Sequence, residues 1–316
     1  MTELRPPREE ARPPVLSSTA QASVDDEGYR TLRRRIRREK LFFRLCTLPA
    51  IFVTGLVAII PLGLLFINSL RNQRSGAFSL EYYIATFGSA FFMRTLGTTI
   101  LMAFCVALVS IILALPMAYL LARRTLLRNF IMPVITIPRM LPFVVIGYAM
   151  ILLLAPMTGV VNKVLLGLGI LSQPAFILFD WPGQAIAFIY SGIVVATAVL
   201  TGVLMSVDPQ LEDAAVSMGA TRLRTFFVIT IPLAIPGIIA ASALIFTSVV
   251  TSYAIPVMLN GRVPYMVSLI VSANLLTLQQ PHLAYAQAVI ISLLAIGVTA
   301  FAQFVLMRYG RQGGGR

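Results

Sequence analysis

A chain of 316 residues that is 58% hydrophobic and only 12% charged, with a mean hydropathy of +0.87, is too apolar for a water-soluble domain and takes the bilayer as its solvent. The net charge of +13 does not point to nucleic acid, because no basic groove interleaved with aromatics accompanies it, and basic residues gather on the cytoplasmic loops of inner-membrane proteins. The cysteines Cys46 and Cys105 both fall in apolar runs and read as small hydrophobes, and His282 has no Cys or carboxylate cluster around it, which argues against a disulfide and against a catalytic metal.

In chain order, residues 1–28 are rich in Pro, Glu, Ser and Arg and read as a disordered cytoplasmic tail. Tyr29 to Arg44 is a basic stretch, either an interfacial helix drawn to anionic lipid or a topogenic charge run with no further role. Six apolar runs follow, at roughly Leu45 to Leu70, Leu96 to Ala122, Met140 to Ala155, Gly183 to Val207, Pro236 to Leu259 and Ala284 to Met307. The third is interrupted upstream by Pro133, Pro138 and Pro142 and has Arg139 at its start. A charge at the bilayer centre costs about 2.5–3.5 kcal/mol, so Arg139 belongs near the cytoplasmic interface. Placing the N-terminus inside puts most of the 25 Lys and Arg residues on cytoplasmic segments, which predicts a multi-pass protein with both termini cytoplasmic.

The loop between the fourth and fifth spans carries the most information. Asp208 followed by Pro209 is a helix start, an N-cap acceptor ahead of Pro at the first helical position. Glu212 and Asp213 sit in the first turn, where the helix dipole favours negative charge. Ala214, Ala215 and Met218 give a small, smooth face, Gly219 suits the left-handed conformation that ends a helix, and Thr221 caps the next one. Arg222 and Arg224 stay in the cytoplasm, and Pro232 and Pro236 bend the chain into the fifth span. Such a helix cannot sit in lipid. It lies on the cytoplasmic surface, where another protein can hold it.

The pattern Asp213-Ala214-Ala215, Gly219, Ile229, Pro232, Pro236-Gly237 resembles the signature loop of ABC-importer permeases, the binding-protein-dependent transport family. Asp213 stands where that family usually has Glu, which keeps the charge with a reach one methylene shorter, and Glu212 beside it is placed to supplement that charge. Gly159 to Ile170 and Tyr253 to Gly261 resemble segments of the spermidine/putrescine branch, although Ile146 stands where that branch often has Arg before the Tyr148-Ala149 pair. The resemblance extends over roughly residues 80–309. It implies an all-α membrane protein of the MetI-like permease fold, with six transmembrane helices and a cytoplasmic coupling helix between spans four and five. The chain then divides into a cytoplasmic tail with a basic helix (1–44), a first transmembrane helix (45–70), a permease core with five more (71–309) and a second tail (310–316). The residues expected to couple to an ATPase are Glu212, Asp213, Ala214, Ala215, Met218, Gly219 and Arg222.

The chain has no G-x-x-x-x-G-K-[ST] loop, so its energy must come from elsewhere. The resemblance implies a permease subunit of the bacterial inner membrane with no catalytic residue, metal or cofactor of its own. Its implied partners are a cytoplasmic ABC ATPase dimer that binds ATP and Mg, a second permease subunit (a heterodimer favoured over a homodimer), a periplasmic solute-binding protein and membrane lipid. Pro116, Pro142, Pro236, Pro256, Gly147 and Gly192 are sites where bends between access states can be accommodated. For the solute path the candidates are Tyr148, Tyr190, Thr247, Ser248, Thr251, Ser252, Tyr253 and Asn274. Thr247 and Thr251 share one helix face and Ser248 and Ser252 another, as a wet wall needs, although such hydroxyls also bond back to their own backbone or pack helices.

A polyamine cargo is favoured by the branch resemblance. After Glu81, however, the only acids are Asp180, Asp208, Glu212 and Asp213, none of them mid-span, whereas a polycation is usually met by carboxylates or an aromatic cage. An opine, an amino-acid derivative, an aminophosphonate, iron or an oxyanion are the alternatives. A secondary transporter would need coupling carboxylates or histidines in its spans, and an intramembrane enzyme paired groups at depth. A channel is the remaining rival, and the loop signature argues against it.

Overall fold

The computed structural model describes residues 47–49, 51–73, 75–259 and 266–313. The expected N-terminal tail and basic helix, and the last residues of the second tail, lie outside them. Two compact units are distinguished, Met1–Leu64 and Leu65–Arg316. An apolar helix, α1, spans Thr47–Ser69, and its large side chains, among them Ile51, Phe52 and Ile59, are exposed.

The second unit is built around three long helices, α3 (Ala90–Arg123), α7 (Trp181–Met205) and α10 (Ile231–Thr251). At 34 residues, α3 is about 51 Å long and outruns the roughly 30 Å hydrocarbon core. Its buried side is a column of small and branched residues, Ala103, Val106, Ala107, Ala114 and Ala118. Small residues let backbones approach in a medium that gives helices no hydrophobic reason to associate. Ser110 Oγ lies 3.4 Å from Ile189 O and Arg123 reaches Leu204 O, so α3 and α7 run parallel. A Cβ on Gly192 would meet Ile245 at 3.4 Å, and one on Gly237 would meet Val203 at 2.8 Å, so α10 runs antiparallel to both.

Parallel neighbours require the intervening chain to return. The return passes through the apolar run expected over Met140 to Ala155, and it is split, as the prolines around the start of that run suggest. A 16-residue helix, α4 (Thr125–Met140), is followed by a 12-residue helix, α5 (Phe143–Leu154). The break falls at Leu141 and Pro142, with Pro142 extended (φ −57°, ψ 143°) at the N-cap of α5. Pro142 has no N–H to continue the ladder, and its ring excludes the helical conformation from the residue before it. The shortness of α5, about 18 Å, leaves five helices rather than six that are long and apolar enough to cross a bilayer, counted among the described residues.

The fifth run is led in, as the Thr221 cap suggests, by a helix that starts well before Pro236. It begins with α9 (Arg222–Thr225), passes through a π-helical turn (Phe226–Thr230) and continues as α10 to Thr251. The wide turn, closed by Ile231 N–H on Phe226 O, lies where the ring of Pro232 would crowd the carbonyl of Val228. After α10 come α11 (Ala254–Met258), α12 (Val267–Ser272), a second π-helical turn (Ala273–Thr277) and α13 (Pro281–Gly313). The helix α2 (Glu81–Gly88) precedes α3, and α6 (Val160–Gly167) follows α5. The last helix to be introduced, α8 (Pro209–Ser217), is the short one after α7.

Two glycines expected to permit bending are instead close-contact points. A Cβ on Gly147 would lie 2.8 Å from Met258 Cβ, and one on Gly192 2.3 Å from Ser110 Oγ. Gly237 is a third close-contact point, where all the near atoms belong to the stiff, branched side chain of Val203. Gly237→Ala is therefore expected to cost about 1–3 kcal/mol through overpacking, and Val203→Ala to recover most of it. Gly202→Ala, where a Cβ meets nothing within 4 Å, should leave thermal unfolding in detergent unchanged.

Candidate functional site

The loop between α7 and α10 folds as its residues dictate. Asp208 accepts from Gln210 N–H at 2.9 Å and Pro209 opens α8. At the other end Gly219 has φ +92°, its N–H bonds Val216 O at 2.9 Å, and Ala220 N–H bonds Ala215 O at 3.0 Å. These two bonds are the Schellman closure, which needs a left-handed residue at Gly219. Thr221 then accepts from Arg224 N–H at 3.3 Å and starts α9. Cap, elbow and second cap all stand where the sequence placed them.

The side chains of α8 divide sharply. Asp213, Ala214, Met218 and Arg222 are exposed, Met218 to 83%, whereas Ala215 and Glu212 are buried. Both oxygens of Glu212 are engaged inward. Oε1 accepts from Arg123 Nη2 at 2.6 Å and from the Thr230 hydroxyl at 2.9 Å, and Oε2 accepts from the Tyr119 hydroxyl at 2.9 Å. Arg123 Nη1 also donates to Leu204 O at 3.3 Å, in the last turn of α7, and to Val207 O at 3.0 Å, just beyond it. The Tyr119 ring meets Phe226 edge-on at 5.0 Å. Burial pushes the Glu212 carboxyl up, but the hydrogen bonds from Arg123, Thr230 and Tyr119 and the Arg123 charge outweigh it and hold the carboxyl below its usual range, ionised at neutral pH. The expectation that Glu212 supplements Asp213 on the outer face therefore fails, because its carboxylate points into the protein and is used up there. The outward negative charge of the α8 body is Asp213.

Sequence reasoning missed Arg123, Tyr119 and Thr230. Arg123 entered only as one of several cytoplasmic charges. The usable signal was the spacing of Tyr119 and Arg123, four apart on one face at the end of a helix whose one other charge, Arg94, lies in its first turns.

The solute-path candidates do not form one wall. Thr251 Oγ1 bonds back to Thr247 O at 2.8 Å, and Thr247 Oγ1 pairs with Thr299 Oγ1 at 3.2 Å, joining α10 to α13. The carbonyl of Ser252 accepts from Ser268 Oγ at 2.6 Å, and Tyr148 is exposed on α5. Tyr190 and Ser248 line a cavity of about 280 Å³ beside Leu141, Phe143 and Ile146. Tyr253 and Asn274 line a separate one of about 630 Å³, in which Asn274 Nδ2 donates to Gln287 Oε1 at 2.7 Å. His282 is not isolated: Nδ1 lies 2.8 Å from Asn68 O, and the ring stacks on Tyr82 at 5.8 Å.

The site is thus a capped surface helix bonded through Glu212 to the end of α3 and to the π-helical turn that opens α10. The family model described as "Binding-protein-dependent transport system inner membrane component" matches residues 111–309. The chain belongs to this family. As a permease of ABC importers, multi-pass in the inner membrane, it is similar to the molybdenum transport system permease protein ModB of Escherichia coli, at 29% identity over 69% of this chain and 96% of that protein. It is also similar to the spermidine/putrescine transport system permease protein PotB of Escherichia coli, at 25% identity over 64% of this chain and 73% of that protein. Such relatives are permease subunits and not themselves enzymes. Among solved structures, a bacterial ABC transporter involved in the import of the acidic polysaccharide alginate shares the fold, with a TM-score of 0.68 and 18% identity over 88% of the permease and 99% of that chain.

The positive φ at Gly219 gives a direct test of the elbow. No atom lies within 4 Å of a Cβ placed there, so a substitution meets only backbone strain. Gly219→Val is expected to cost about 1–3 kcal/mol locally and to loosen α8, while Gly219→Asn, which tolerates the left-handed region, should behave nearly as wild type. Amide exchange across residues 209–220 reads the difference; equal protection in the two variants would count against the elbow.

Proposed function

We propose that this permease forms half of the solute path of an ATP-driven importer, and that the exposed face of α8 is the handle gripped by a cytoplasmic ATPase. The observation that supports this most is the two-sidedness of α8. Its inner side is bonded to α3 and the π-helical turn, while the side chains of Asp213, Ala214 and Met218 on its outer side make no hydrogen bond or ion pair among the described residues. A helix needs no such anchorage to close a loop, but it needs it to transmit a push. ATP and Mg are held by the ATPase pair, and a second permease, related or identical, completes the path. A periplasmic binding protein delivers the solute. Both termini are assigned to the cytoplasmic side, the side the distribution of Lys and Arg favours.

Two cargo classes have support. The segments at Gly159 to Ile170 and Tyr253 to Gly261, together with the likeness to PotB, favour a polyamine. The likeness to ModB and the lack of any Asp or Glu inside the apolar runs after Glu81 favour an oxyanion, since a cation path without carboxylates pays the full cost of desolvation.

Reconstitution in proteoliposomes with the cognate ATPase and binding protein tests both levels. Uptake is expected only with ATP inside and the binding protein outside; uptake without ATP would contradict the importer reading. Thermal shift of the binding protein by spermidine or putrescine, against molybdate or sulfate, then selects the cargo class.

A further inference from the structure

We propose that Glu212 is a positioning residue that fastens α8 to the end of α3, so that force applied to the outer face of α8 enters the long helices directly. This rests on the reading of α8 as the handle.

The covalent connections of α8 are poor transmitters. On one side the chain leaves α7 through Ser206 and Val207; on the other it passes the Gly219 elbow, whose left-handed backbone has open space around it. A push on Asp213 or Met218 could be absorbed by rotation at either connection. The carboxylate of Glu212 removes that freedom, because its three donors come from two other elements. Arg123 and Tyr119 stand on the last turns of α3, and Thr230 ends the π-helical turn that leads into α10. The same guanidinium holds the Leu204 and Val207 carbonyls, so a single side chain ties α3, α7 and α8 together. Each donor is an N–H or O–H, so the group at this place must accept three hydrogen bonds and match a fixed positive charge. An ionised carboxylate does both. An amide of the same shape offers one oxygen, turns a donor-only nitrogen toward the remaining partners and leaves Arg123 without a counter-charge.

The position in sequence agrees. Glu212 and Asp213 are adjacent, so they point about 100° apart around the helix. One acid is turned to the membrane helices and the other to the cytoplasm, which explains why two consecutive acids are present where a dipole argument needs only one.

The test compares Glu212→Gln, Arg123→Lys and Tyr119→Phe with wild type in the assembled transporter, reconstituted with its ATPase and binding protein. The readout is solute imported per ATP hydrolysed, with the amount of ATPase bound to each variant measured alongside. Glu212→Gln is expected to bind the ATPase and hydrolyse ATP while importing about five- to tenfold less solute per ATP, a loss typical of a broken coupling between sites. Tyr119→Phe, which keeps the ion pair, should lose less than Glu212→Gln. Arg123→Lys keeps the charge but not the fork, and should fall between Tyr119→Phe and Glu212→Gln. A merely structural role would lower the quantity of complex and leave solute per ATP unchanged, and that result in Glu212→Gln overturns the proposal. Wild-type uptake that ignores ATP would remove instead the reading on which the proposal stands.

Discussion

The guanidinium of Arg123 is the constraint on which the rest of this structure depends. It sits where α3 ends, where the chain leaves the last turn of α7 and where α8 begins its return. Removing one member of a buried ion pair typically costs about 3–5 kcal/mol, because the other charge is left stranded away from water. Here the pair is only slightly exposed, at 16% for Arg123 and 10% for Glu212, and every oxygen of the carboxylate has a donor. The direction of α8, and therefore which of its residues face outward, follows from that arrangement and not from the helix's own sequence. An isolated nine-residue helix would be marginal in water.

Around this joint the molecule combines close contacts with interruptions. Gly192 and Gly237 bring α7 against α3 and α10 so tightly that a methyl group does not fit, which favours movement of these three helices together. The interruptions lie elsewhere: the break at Leu141 and Pro142, the two π-helical turns, and the step at Ser252 and Tyr253 between α10 and α11. Both cavities that hold solute-path candidates adjoin these interruptions, one beside Leu141 and Phe143 and the other beside Tyr253 and the second π-helical turn. Packed helices resist deformation, whereas unpaired turns change their dihedrals cheaply, so a change of access is expected to begin at the interruptions.

Much of this was legible in the sequence, and the reasons differ by element. The α8 loop could be read nearly residue by residue, because caps and left-handed glycines are local chemistry: Asp208, Gly219 and Thr221 need no knowledge of the rest of the chain. Long apolar helices were equally plain from composition. The third span was legible as a short, proline-broken apolar run, but an apolar run does not reveal whether Pro142 kinks a helix or ends it. The helix entering the fifth span was legible from the Thr221 cap, but the π-helical turn that carries it past Pro232 was not, because it is a backbone adjustment with no residue type of its own. Long-range pairing was not legible. Arg123 and Glu212 lie 89 positions apart, and nothing local to either distinguishes an anchored charge from a solvated one. The stripe of Thr247 and Thr251 was ambiguous for the same reason: whether a membrane hydroxyl faces a solute, its own backbone or a neighbour such as Thr299 depends on packing.

The central claim is that α8 keeps its inner face locked and its outer face free for an ATPase. Labelling of Met218→Cys with a membrane-impermeant maleimide, in inside-out vesicles, tests it most directly. The cysteine should react readily in the permease alone and become protected when the cognate ATPase is added. A rate unchanged by the ATPase, or a cysteine unreactive in both cases, would contradict it.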